Sequence, residues 1–458
     1  MHSQDHRDAG WTPDSWQARP APMHTTYDDP AALREALTKL RSLPPLCTPF
    51  EIDRLRSRLA EAQEGRRFLL QGGDCAETLR DCRPEIITNK IKILLQMSLV
   101  LLQGCRKPLI RIGRLAGQYA KPRSNPLESR EVNGARVELP SYFGDLVNHP
   151  EFTPEARRAD PQLLISAYYH AALTLNYIRA LTEGGFADLH HPEYWDLAFC
   201  ETADLSPDLR AEYQGHIQKL TESLRFMEAL GENPVEVLSR AEFYVSHEGL
   251  NLHYEAAQTR HSGSGAAPYD LTTHLPWIGE RTRDLRGAHV EFFRGVKNPI
   301  GVKLGPKADP AELLELLRVL NPNDEAGKLV LIARMGEGRV AAALPPLVEA
   351  VRRAGRRVLW VCDPMHGNTH TTASGLKTRS FDRILRELEQ SLDVHQALGS
   401  TLGGVHFELT GEDVTECLGA GTTEDDLDKN YASLCDPRLN YRQAMEVALR
   451  LARRLSVT

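Results

Sequence analysis

A (β/α)8 barrel of the TIM type, an α/β fold, is the architecture this sequence predicts, and three observations predict it. Eight short apolar runs recur along the chain, each ending abruptly in glycine or charged residues. Stretches of helical periodicity separate most of them, and parallel strands need such crossover connections. Polar residues gather at the C-terminal ends of the runs, the end where an eight-stranded barrel assembles its site. A doubly wound open sheet is the alternative, but no G-x-G-x-x-G opens a helix after an early run.

In chain order the runs are FLLQGGDC (68–75), LIRIGR (109–114), FYVSHE (243–248), LPWIGER (275–281), IGVKLG (300–305), LVLIAR (329–334), VLWVCDPMH (358–366) and VHFE (405–408). Between them, Asp309 caps a helix that has Pro310 at its first position. Residues 339–354 carry a Leu/Val face, and 380–398 place Ile384, Leu385, Leu388 and Leu392 among charges. Residues 1–65 form an N-terminal extension, a Pro-rich arm followed by helices at 30–42 and 49–64, and residues 66–458 form the barrel. The stretch between the second and third runs is too long for one crossover helix. Its helical segments at 161–181 and 207–230 predict an inserted helical layer, with accessory helices within about 150–235. Residues 258–267 (QTRHSGSGAA) read as a flexible loop.

Composition narrows the function. The 458 residues carry 55 Lys+Arg against 62 Asp+Glu, a net charge of −7, which removes any default case for nucleic-acid binding. The apolar stretch Ile93 to Leu102 is far short of a membrane span, and the N-terminus lacks the pattern of a secretory leader. Eight cysteines in a chain this long do not read as a disulfide framework. The expectation is a cytoplasmic enzyme without nucleic-acid or membrane partners.

Two sets of side chains fall at the run ends. Arg114, Arg281, Lys303 and Arg334 form a cationic set. Each alone reads equally well as a side chain snorkelling at a strand end, but four on separate strands suit a small multiply charged anion. The turn Lys121-Pro122-Arg123-Ser124 adds a second basic patch with a hydroxyl. The other set, Cys75, His366 and Glu408, could bind a metal. No C-x-x-C or H-E-x-x-H spacing supports it, and Cys75 reads equally as a buried thiol. A mixed sulfur, nitrogen and oxygen set suits a borderline divalent ion such as Mn²⁺, Co²⁺, Fe²⁺ or Zn²⁺ rather than Ca²⁺ or a pure thiolate zinc site. Glu248 and Asp363, acids at run ends, are candidates for proton transfer or water orientation. The residues alone lead to a metal-dependent barrel enzyme acting on small phosphorylated substrates.

The segments LLQGGDCAE (69–77), GRLAGQYAKPRS (113–124), SHEGL (246–250), WIGERTR (277–283), GVKLGP (301–306), RMG (334–336), CDPMHGNTH (362–370), GLKTR (375–379), GEDVTECLG (411–419) and CDPRLN (435–440) resemble, in order, the class II, plant-like DAHP synthases. Those enzymes make 3-deoxy-D-arabino-heptulosonate 7-phosphate at the entry to the shikimate pathway of aromatic amino-acid biosynthesis. The resemblance implies condensation of phosphoenolpyruvate with erythrose 4-phosphate on a (β/α)8 barrel. It implies Cys75, His366, Glu408 and Asp436 as ligands of a divalent metal ion, Mn²⁺ or Co²⁺ foremost with Fe²⁺, Zn²⁺ or Cd²⁺ as further candidates, and Arg114, Glu280, Arg281, Lys303 and Arg334 as the phosphoenolpyruvate site. Lys121, Arg123 and Ser124 match the region expected to hold erythrose 4-phosphate, and Lys303 and Glu280 also count as catalytic candidates. An aromatic amino-acid effector at the helical layer and a homodimer or homotetramer are further expectations. Cys435, next to Asp436, is expected close to Cys75, where oxidation could join the two. The alternatives are a synthase using an amino-sugar phosphate and a non-catalytic regulatory homologue.

Overall fold

The computed structural model of the chain describes residues 10–184, 242–261 and 268–456, with a few positions between 207 and 222. Eight parallel strands close into a barrel: β1 (Phe68–Gly73), β2 (Leu109–Arg114), β3 (Tyr244–Glu248), β4 (Leu275–Ile278), β5 (Ile300–Leu304), β6 (Leu329–Ala333), β7 (Leu359–Cys362) and β8 (Leu402–Glu408). Each strand lies beside its sequence neighbours, and β8 closes on β1. All eight apolar runs are barrel strands, so the predicted fold stands.

Alternate residues of a strand point to opposite faces, and the interior follows that rule. Leu69, Ile110, Leu275, Val330 and Leu359 pack together inside the lower barrel, while Leu70, Val302, Leu331, Trp360 and Phe407 face the surrounding helices. The helix Pro49–Gln63 inserts Leu55, Leu59 and Ala62 into the same interior cluster and stoppers the N-terminal end. Its start is fixed by a capping box in which Thr48 and Glu51 bond reciprocally. The latter part of the N-terminal extension is therefore built into the barrel floor.

Around the strands lie helices including Pro84–Cys105, Pro310–Leu320, Val340–Arg353, Phe381–Ala397 and Tyr441–Leu455. Asp309 caps Pro310–Leu320 as expected, accepting from the amides of Ala311 and Glu312 at 2.9 Å each. The first and last of these helices meet at Gly104, where a Cβ would stand 2.4 Å from Ala452 Cα. That contact closes the outer layer as β8–β1 closes the inner one. No helix of the described residues is long and apolar enough to cross a membrane.

The predicted helix at 161–181 spans Gln162–Glu183, whereas most of 207–230 and the other residues between 185 and 241 fall outside the described residues. At 258–267 the reading needs correction. Thr259–His261 pairs antiparallel with Pro268–Asp270, and residues 262–267 lie outside the described residues. A second hairpin, Leu127–Val132 with Ala135–Pro140, turns at Asn133-Gly134, both with positive φ. That is the two-residue turn whose twist matches a hairpin.

Candidate active site

Six strands deliver an acid or a cation to the C-terminal end of the barrel by the same alternation that fills its floor. Gly73 of β1 is level with Arg114 of β2 on one side and Glu408 of β8 on the other. Arg114 Nη2 donates to Glu408 Oε1 at 2.9 Å and to the Cys75 carbonyl at 3.1 Å. Lys303 of β5 pairs with buried Asp363, whose carboxylate also meets His366 Nδ1 at 2.7 Å. Arg334, following β6, donates to the His366 carbonyl at 2.8 Å. These groups surround a cavity of about 750 Å³, which Arg114, Lys121, Arg123, Ser124, Glu248, Glu280, Arg281, Lys303, Arg334, His366 and Asp436 all line. Nε of Arg114 and Nε of Arg334, both residues of the cavity lining, are buried donors without an acceptor.

The candidate metal ligands also meet. Ligand atoms of Cys75, Glu408 and Asp436 all lie within 4.8 Å of one another, and His366 Nε2 is 2.9 Å from Glu408 Oε1. Lys121 Nζ stands among them, 2.9 Å from Cys75 Sγ, 3.0 Å from Asp436 Oδ2 and 3.5 Å from Glu408 Oε1. A cationic head in the middle of a thiol and two carboxylates is a stand-in for a metal ion, so the donor set fits one. Burial alone would lower the Lys121 pKa, but Asp436, Cys75 and Glu408 raise it well above its ordinary value. Burial would raise that of Glu408, but His366, Lys121, Arg379 and Arg114 hold it well below the usual carboxylate range. Cys435 is a hydrogen-bonding neighbour of Cys75, and both are free thiols.

Other groups take more specific places. Burial brings the Lys303 ammonium down to about 8 despite Asp363 beside it. Asp363 is fully buried between Lys303 and His366 and does not line the cavity. Glu248 lines it with a buried Oε1 that has no partner, and burial raises its pKa. Gly279 makes room for that oxygen, since a Cβ there would stand 2.1 Å away. Glu280 accepts from the Gly305 amide at 2.6 Å and pairs with Arg283 at 3.3 Å. Arg281 donates to Ser124 Oγ at 2.6 Å, so a residue of the expected phosphoenolpyruvate set touches the Lys121–Ser124 patch.

Four residues not singled out from the sequence complete the site. Arg379 is fully buried and lies 2.7 Å from Glu408 Oε2, and Lys377 reaches Asp436 Oδ1 at 3.2 Å. Both stand in the GLKTR segment, on a short hairpin of Thr369–Thr371 with Lys377–Arg379. Trp277 lies beneath Arg114 and Lys303, whose cationic groups are 5.1 and 5.7 Å from its ring centroid. His406 Nε2 is 2.7 Å from Arg114 Nη1.

Comparison with known proteins identifies the family. A model of the class-II DAHP synthetase family matches residues 11–452. A phospho-2-dehydro-3-deoxyheptonate aldolase of Neurospora crassa is 49% identical over 461 residues, covering 97% of this chain and 94% of that protein. Proteins of the same name from Streptomyces coelicolor and Mycolicibacterium smegmatis are 45% and 44% identical. Each covers 96% of this chain, and 96% and 94% of their own lengths are matched. With a family model spanning nearly all of it and full-length relatives at such identity, the chain belongs to the class-II DAHP synthetase family.

Proposed function

We propose that this enzyme condenses phosphoenolpyruvate with erythrose 4-phosphate and water, giving 3-deoxy-D-arabino-heptulosonate 7-phosphate and phosphate at the start of aromatic biosynthesis. The observation that carries the reading is a strand-end cation cluster lining one cavity beside a thiol, imidazole and carboxylate donor set, of which His366 and Asp436 reach that cavity. Arg114, Lys303 and Arg334 bind the phosphate and carboxylate of phosphoenolpyruvate and hold its C3 towards the aldehyde. Lys121, Arg123, Ser124 and Arg281 take the phosphate of erythrose 4-phosphate at the outer wall. Cys75, His366, Glu408 and Asp436 would hold a divalent ion, Mn²⁺ or Co²⁺ foremost, which when bound supplies Lewis acidity towards the aldehyde oxygen. Lys121, which lines the same cavity, would offer its charge to the sugar phosphate.

The bond from C3 of phosphoenolpyruvate to the aldehyde carbon leaves positive character at C2. Water adds there and loses a proton, and cleavage of the C2–O bond expels phosphate. Glu248, which lines this cavity, would orient the water and accept its proton. Asp363 holds Lys303 and His366 in position from behind. Purified protein with both substrates tests the reading by mass spectrometry of the product. A seven-carbon sugar acid phosphate, formed only when both are present, is expected. A product from an amino-sugar phosphate alone would move the assignment to the related synthases of secondary metabolism. No product with either would favour a regulatory homologue.

A further inference from the structure

Two carboxylates that lie outside the cavity hold opposite walls of it. Glu77, almost fully buried, accepts from three successive amides: Ala116 at 3.1 Å, Gly117 at 3.0 Å and Gln118 at 2.9 Å. Its own amide donates back to the Gln118 carbonyl at 2.8 Å. These residues open the segment that carries Lys121, Arg123 and Ser124. The segment is hemmed in from the other side, because a Cβ on Gly117 would stand 2.3 Å from His247 Nδ1.

Glu387 does the same work across the barrel, from the buried face of helix Phe381–Ala397. Its Oε1 accepts from the amides of Met335 at 2.7 Å and Gly336 at 2.9 Å. Its Oε2 accepts from Asn368 Nδ2 at 2.7 Å, and Asn368 Oδ1 in turn accepts from the Glu337 amide at 3.0 Å. One carboxylate therefore ties the turn after Arg334 to the turn that carries His366. The two turns touch backbone to backbone. Gly336 has a φ of 87°, and a Cβ on Gly367 would stand 2.3 Å from the Gly336 nitrogen.

We propose that Glu77 and Glu387 are positioning residues that set the two halves of the cavity independently, Glu77 the sugar-phosphate wall and Glu387 the phosphoenolpyruvate wall. This rests on the substrate reading above. A carboxylate can accept at both oxygens, whereas a glutamine presents an NH₂ at one of them, so Gln at either position sets a donor against a donor. Lost anchoring should appear as weaker binding of one substrate, since the groups that touch substrate stay in place chemically and are misplaced only on one wall.

The test is steady-state kinetics of Glu77→Gln and Glu387→Gln for both substrates, with amide hydrogen exchange on the same proteins. Glu387→Gln should raise KM for phosphoenolpyruvate about tenfold, the size expected for one lost hydrogen bond to a charged group, and leave KM for erythrose 4-phosphate within about twofold. Glu77→Gln should do the reverse. Exchange at Met335 and Gly336 should quicken in Glu387→Gln alone, and exchange at 116–118 in Glu77→Gln alone. Equal changes in both constants in either variant, or unchanged exchange at the anchored amides, would overturn the proposal. If Glu387→Gln does not fold, Asn368→Ala, which cuts Glu387 from the His366 turn together with the Asn368 bonds to the Glu337 amide and the Pro364 carbonyl, must still raise KM for phosphoenolpyruvate selectively or the proposal falls. If the wild-type protein turns over neither substrate, the functional reading fails on its own, and the exchange pattern alone decides whether the two anchors are independent.

Discussion

The two ends of the barrel interior are built on the same inward-facing strand positions and do opposite things with them. At the floor those positions carry Leu69, Ile110, Val330 and Leu359, closed off by Leu55 and Leu59. Four residues further along three of these strands the inward positions carry Arg114, Arg334 and Asp363 instead, and β8 adds Glu408. The floor is held by apolar area removed from water, worth about 25 cal/mol per Å². The upper end buries charges, which is tolerable only because nearly every one is paired. Glu408 alone faces Arg114, Lys121, His366 and Arg379. Stability thus comes from one end and chemistry from the other. The pairing leaves a few buried donors, such as the two arginine Nε atoms, without an acceptor.

The contrast can be broken from either end. Lys303→Met, at the upper end, is expected to lower kcat/KM about 10²–10³-fold, the scale of one lost preorganised electrostatic contact, in a phosphate-release assay. Leu59→Ala, at the floor, should cost about 2–5 kcal/mol in denaturant unfolding while leaving both KM values unchanged. A fall in activity that outran its fall in stability would erase the division.

Titration sharpens the upper end further. Lys303 is charged below about 8 and neutral above it, whereas an ordinary lysine stays charged to 10.5. Anion binding should therefore be intact below pH 8, and kcat/KM for phosphoenolpyruvate should fall as pH rises through about 8, approaching tenfold per unit. The same residue runs the other way for stability. Its depressed folded pKa means the unfolded chain binds more protons between about 8 and 10.5, so its penalty on folding fades as pH rises across that window. The smallest effect is expected at the stopper's cap: Thr48→Ala should lower stability by about 1 kcal/mol with no kinetic change.

How much of this was legible in the sequence follows from the same geometry. A strand-end residue announces itself because an apolar run stops at it, which is why Arg114, Glu248, Lys303, Arg334 and Glu408 could be read from the chain alone. Trp277 and His406 sit within strands, where an aromatic or a histidine looks like core, and nothing local marks them as contacts of Arg114. Arg379 and Lys377 lie on a hairpin whose partners, Glu408 and Asp436, are far away in sequence, so pairing them needed the fold or the family. Asp436 reads as a turn residue in Cys435-Asp436-Pro437-Arg438, and only the family resemblance pointed to it. The Leu127–Pro140 hairpin did carry its signal, Asn133-Gly134, in a segment for which the sequence reading named no element.

The measurement that bears most directly on the account is phosphate release from phosphoenolpyruvate by chelator-stripped protein, with and without erythrose 4-phosphate, before and after adding Mn²⁺. Release that requires both substrates and returns only with the ion is the predicted result. Release without the aldehyde, or an unchanged rate after stripping, would contradict the assignment of the barrel's charged end to a metal-assisted condensation.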